Sequence, residues 1–74
     1  MHDRIEIDPE IQHGKPVIKG TRVPVTRILA AVAGGVSFSE IEKEYDVTAE
    51  DIRAAVAFAN EIVSESFFYS PARR

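Results

Sequence analysis

Cysteine is absent from this 74-residue chain, which excludes disulfides and thiolate metal sites. Imidazole is scarce as well. His2 sits at the terminus and His13 in a loop-forming stretch, so a histidine metal centre is not expected. No apolar run approaches the roughly 20 residues needed to cross a bilayer, and nothing at the N-terminus resembles a signal peptide. The cytoplasm is the expected location. The chain also lacks size: a single core in so short a sequence leaves only about 3–5 kcal/mol of stability. With disulfides and metals excluded, association is the expected supplement, most simply as a homodimer.

Catalytic chemistry is thinly represented too. There is no cysteine nucleophile and no glycine-rich phosphate loop; Gly14-Lys15-Pro16 and Gly20-Thr21-Arg22 are only superficially similar to one. Glu40 and Glu44 fall on one side of a helix, where a solvated acidic face is the simpler expectation than a metal site. His13, beside basic residues, reads as a turn residue rather than a general base. No enzyme activity, catalytic residue, metal or cofactor is expected.

Acidic residues are missing from one stretch altogether. Residues 11–39 hold Lys15, Lys19, Arg22 and Arg27 and no acid, whereas residues 40–65 hold eight acids against Lys43 and Arg53. The formal net charge of −3 hides this division. Such asymmetry suits an interaction protein, although an uneven solvated surface gives the same count.

The apolar residues that remain mark the elements. Ile5-Glu6-Ile7 alternates, Asp8-Pro9 starts a turn, and Val17-Ile18 and Val23 flank Lys19-Gly20-Thr21, where Gly20 can supply a positive φ. Two or three short strands are expected, interrupted by Pro16 and Pro24. From Val25 the period lengthens: Val25, Ile28, Leu29 and Val32 share one helical face. Gly34-Gly35 ends that helix, and Ser37-Phe38-Ser39-Glu40 has the form of a capping box opening the next. Phe38, Ile41 and Tyr45 form its apolar stripe. Thr48-Ala49-Glu50-Asp51 caps a third helix, expected to about Glu65, with Ile52, Ala55, Val56, Ala59, Ile62 and Val63 on a broad face. Ala54 and Phe58 lie off that face, which makes Phe58 a candidate dimer contact; packing against the strands is the alternative. The fold expected is mainly α, with a small N-terminal β-hairpin and three helices.

Ile41, Val47 and Ile52 have the spacing of a helix–turn–helix. The third helix offers few base-reading groups. Its first turns present Thr48, Ala49, Glu50, Arg53 and Ala54, of which only Arg53 suits a nucleic acid, and Glu50 and Asp51 repel phosphate. Lys15, Lys19, Arg22 and Arg27, with Arg53, are the candidate nucleic-acid-binding residues. They would give salt-sensitive affinity with little sequence readout. The same cations can instead pair with the chain's own acidic helices.

The end of the chain stands apart. Phe67-Phe68-Tyr69 precede Pro71 and the basic pair Arg73-Arg74. Such a segment either folds back on its own domain or orders on a partner, with the aromatics as anchors.

Three stretches resemble the DUF433 family: Asp8-Pro9-Glu10-Ile11, the run Gly14-Lys15-Pro16-Val17-Ile18-Lys19-Gly20-Thr21-Arg22-Val23-Pro24-Val25, and the helix starts at Ser37 and Thr48. The resemblance covers about Ile5 to Glu65. His13 departs from it, since the family more often has glycine or a similar small residue there. The resemblance implies a homeodomain-like, winged-helix-like helix-turn-helix bundle over residues 1–65, with residues 1–24 as strands and turns and 25–65 as helices. It also implies an antitoxin whose partner is a PIN-like, metal-dependent ribonuclease toxin, and which can also repress its own operon through operator DNA. Residues 66–74 would then be the toxin-binding tail. Phe67, Phe68 and Tyr69 would enter an apolar groove, and Arg73 or Arg74 would pair with the acids that hold the nuclease's Mg²⁺. A freestanding DNA-binding regulator is the alternative.

Overall fold

The computed structural model describes residues 3–67. Two short strands, β1 (Ile5–Glu6) and β2 (Val17–Ile18), precede three helices, α1 (Val25–Ala33), α2 (Phe38–Tyr45) and α3 (Ala49–Phe67). The expected architecture of a small antiparallel hairpin followed by three helices is the one observed.

β1 and β2 pair Ile5 with Ile18 and Glu6 with Val17. The chain then reverses over Lys19-Gly20, closed by Thr21 N–H donating to Ile18 O at 3.0 Å, with Gly20 at φ +83°. The Thr21 hydroxyl locks this turn, donating to Ile18 O (2.7 Å) and accepting from Val23 N–H (2.9 Å). The return segment lies along β2. Ile18 N–H donates to Val23 O and Val25 N–H to Pro16 O, both at 2.9 Å, with Val17 opposite Pro24 between them. In an antiparallel ladder, a residue between two such bonds directs its N–H away from the partner strand. Pro24 therefore occupies a position where no donor is needed, and Pro16 contributes only its carbonyl. The two prolines that interrupt the strand pattern in sequence sit where the ladder tolerates them.

Helix ends follow the local chemistry. Ser37 Oγ accepts from Glu40 N–H at 3.1 Å, while the Glu40 carboxylate meets the Ser37 hydroxyl at 3.4 Å. α1 closes in a Schellman motif, with Val36 N–H donating to Ala31 O and Gly35 N–H to Val32 O around Gly35 at φ +83°. α2 closes on Asp46, whose left-handed conformation (φ 57°, ψ 47°) fills the role glycine often takes in this turn. Aspartate is among the few side chains that visit this region readily.

The core consists of Ile18, Val25, Ile28, Ile41, Val47, Ile52 and Ala55, with Ile5, Leu29, Tyr45 and Phe58 packed around it. Two expectations about faces are corrected. Phe38 belongs to the exposed side of α2, so only Ile41 and Tyr45 carry its inner stripe. On α3 the inward direction runs through Ile52, Ala55, Phe58 and Ala59. Phe58 thus lies on the inner edge, half-buried against the core, and Val56 points outward. The broad stripe expected from the sequence is centred too far toward Val56, because a helix with apolar residues on most sides does not reveal which side faces the body.

Among the described residues, no helix is long and apolar enough to cross a membrane.

Candidate functional site

Three features converge on α3. The first is its N-terminus. Thr48 Oγ1 accepts from Asp51 N–H at 3.1 Å and Thr48 N–H donates to Asp51 Oδ2 at 3.0 Å, a reciprocal cap. Arg4 then reaches across from beside β1, donating from Nη1 to Asp51 Oδ1 at 3.0 Å and from Nη2 to Glu50 Oε1. One guanidinium thereby ties the N-terminal segment to the start of the helix. Partial burial of the Asp51 carboxyl pushes its pKa up. The backbone hydrogen bond from Thr48, the hydrogen bonds from Arg4 and the Thr48 hydroxyl, and the Arg4 charge outweigh this and hold it below its ordinary value of 3.8.

This depression sets the sign of the pH effect. A carboxyl with a depressed folded-state pKa contributes stability that is complete above about pH 3.8 and is lost as pH falls through the folded value. Asp51→Ala removes the cap acceptor and is expected to cost about 1–2 kcal/mol at neutral pH. In urea titrations the gap between wild type and variant should narrow as pH drops from about 5 to about 2.5. A gap unchanged across that range would contradict an ionised Asp51 in the latch. The Glu50–Arg4 pair is more open, with side chains 64% and 46% exposed, and is expected to contribute little.

Second is the basic stretch. Lys15 precedes β2, Lys19 and Arg22 sit on the reverse turn, Arg27 lies in the first turn of α1, and Arg53 in the second turn of α3; all five are exposed. The turn abuts the latch, because Lys19 N–H donates to Arg4 O at 2.8 Å. Its other side is tied to the preceding loop by Gln12 Nε2 donating to Arg22 O at 3.2 Å. In that loop Gln12, His13 and Gly14 all have positive φ, of 51°, 58° and 82°. Glycine suits this left-handed run better than histidine does. His13 is exposed in that turn.

Third is an apolar groove of about 200 Å³ between the start of α1 and the second half of α3, with Phe58 in its wall beside Leu29, Ala59, Ile62 and Val63. Beyond Ala55, no residue of α3 described to Glu65 is fully buried. Phe58, Ala59, Ile62 and Val63 still face the start of α1 across this groove. The expected tail contacts Phe68, Tyr69, Arg73 and Arg74 lie outside the described residues, and Phe67 is the last residue of α3. No group of three or more metal-ligating side chains is assembled among the described residues.

Comparison with known proteins finds one family model that covers most of the chain. The family described as "Protein of unknown function (DUF433)" matches residues 5–59. The chain belongs to the DUF433 family. Its fold is similar to the crystal structure of a DUF433 member protein from Anabaena variabilis ATCC 29413, with a TM-score of 0.74 and 30% sequence identity. The match covers 84% of this chain and 62% of that one, so this chain spans less than two thirds of that DUF433 protein's length. The comparison with curated proteins returns no match.

Sequence reasoning anticipates the Thr48 cap and the turn at Gly20. It misses Arg4 as the link between them; the available signal is a lone cation among four acids in the first ten residues. It also misses the groove, whose walls come from segments about thirty residues apart.

Proposed function

We propose that this DUF433 protein is an antitoxin that binds and neutralises a PIN-like, metal-dependent ribonuclease through its C-terminal segment. The observation that carries this reading is the reach of α3. The helix continues twelve residues past Ala55, its last buried position among the described residues, to Phe67. At 1.5 Å per residue that is about 18 Å of helix. The first part of that stretch still flanks α1, with Phe58 packed on the core and Ile62 and Val63 in the groove wall, and its end at Phe67 leads directly into the C-terminal segment. That segment is Phe68-Tyr69-Ser70-Pro71-Ala72-Arg73-Arg74, with aromatic anchors for an apolar groove and two guanidinium groups for a carboxylate cluster. Nucleases that hold Mg²⁺ between Asp and Glu side chains present such a cluster, and an arginine placed there competes with the metal.

Removing residues 66–74 is expected to abolish neutralisation of the nuclease while the helical circular dichroism remains. Neutralisation by the truncated chain would contradict the reading.

A second reading, DNA binding, is favoured by one observation. Arg4 pairs with both Glu50 and Asp51, so the acids at the start of α3 oppose phosphate less than their sequence positions suggest. Lys19 and Arg22 stand on the adjacent turn. A gel shift over a salt series separates the two roles. Tight, sequence-specific retention by this chain alone supports the regulator. Weak retention that collapses with salt leaves the antitoxin reading as the principal one.

A further inference from the structure

We propose that residues 3–7 form a releasable strap, latched by Arg4, which opens while the rest of the fold stays closed. β2 is the middle of three extended segments, and its two edges are held differently. On one edge the return segment is bonded on both sides of Pro24, through Ile18 N–H to Val23 O and Val25 N–H to Pro16 O, and runs straight into α1. On the other edge lies β1, two residues long, paired with Val17 and Ile18 and continued by Lys19 N–H donating to Arg4 O at 2.8 Å. No residue from Asp3 to Ile7 is fully buried. Ile5 packs half-buried on the core, and Ile7 is 61% exposed. A segment so placed belongs to the low end of local stability.

The chain beyond the strap holds itself. Asp8 Oδ1 accepts from Glu10 N–H at 2.9 Å, and Asp8 O accepts from Ile11 N–H at 2.8 Å. Neither bond involves the strap, so exposed Ile7 is a hinge at which it can swing. What closes it is the Arg4 guanidinium on Asp51 and Glu50, from a side chain 46% exposed and open to competition from salt. Strap position therefore sets the charge at the start of α3. Closed, one guanidinium faces two carboxylates; open, Glu50 and Asp51 stand without it. The closed form repels an anionic partner at this helix end less than the open form does. Opening also bares one edge of β2.

Native-state amide exchange of the full chain, read by NMR over a low-urea series, tests this with two adjacent amides. Ile18 N–H donates to the return segment and Lys19 N–H to the strap. Lys19 is expected to be protected about 10-fold less than Ile18, after correction for intrinsic rates. Its protection should change little with urea, because opening the strap exposes little surface, whereas that of Ile18 and Val25 should fall steeply. Arg4→Ala is expected to lower Lys19 protection by about 3–10-fold. Should that variant fail to fold, raising sodium chloride from about 0.05 to about 0.5 M should lower Lys19 protection in the wild type. Equal protection and equal urea slopes at Ile18 and Lys19 would overturn the strap, since β1 would then open only with the whole fold. Unchanged Lys19 protection in a folded Arg4→Ala, or across the salt series, would overturn Arg4 as the latch.

Discussion

Ile28→Ala is expected to cost about 2–5 kcal/mol and to leave the isolated chain largely unfolded at room temperature. Ile28 is fully buried on the inner face of α1, in the cluster that also holds Ile18, Ile41 and Ile52. Truncation there removes methyl groups from the point where the hairpin and all three helices meet, and the surrounding side chains are held by elements too short to collapse far. A chain of this size holds only about 3–5 kcal/mol in its core, so the loss is of the same order as the whole. The control is Ile7→Ala. Ile7 is 61% exposed, and its truncation is expected to change stability by less than about 0.5 kcal/mol. Urea unfolding followed by circular dichroism measures both. An Ile28→Ala protein with a near wild-type midpoint would mean that association, not the single-chain core, dominates stability.

If the proposed nuclease is the partner, replacing Phe68 and Tyr69 together by alanine is expected to weaken its binding by about 10²–10³-fold. Aromatic side chains at the centre of an interface commonly carry about 2 kcal/mol or more each, and every 1.4 kcal/mol is a factor of ten. The matching change at Arg73 and Arg74 is expected to act differently. Those cations would meet carboxylates, so their loss should reduce the salt dependence of binding along with its strength. Isothermal titration at two salt concentrations distinguishes the contributions. Equal salt dependence for wild type and the double arginine variant would place the basic pair outside the contact. None of these substitutions touches a residue of the core, so unfolding midpoints should stay near the wild-type value.

Much of this fold is legible in the chain because its signals are local. Ser37 and Thr48 cap helices where sequence places them, and the glycines at 20 and 35 sit at the positive φ values their turns require. The helix starts at Val25 and Phe38 directly follow Pro24 and Ser37. Sequence does not supply the relation between segments. Whether Phe58 or Val56 faces inward depends on where α1 lies against α3, and both choices satisfy the helical period. The partnership of Arg4 with Glu50 and Asp51 spans more than forty residues. The groove likewise exists only once Leu29 and Val63 are brought together. The tolerance of Pro24 beside β2 also depends on ladder register, which composition does not show.

The helical delivery of a partner-binding end is the central claim, and one affinity capture tests it directly. Tagged full-length chain and a chain ending at Glu65 are used side by side to recover partners from the native cells. A small nuclease whose sequence carries clustered Asp and Glu, retained by the full-length chain and absent from the shorter one, is the predicted result. Recovery of that nuclease by both chains, or of DNA by both with no nuclease at all, would contradict it.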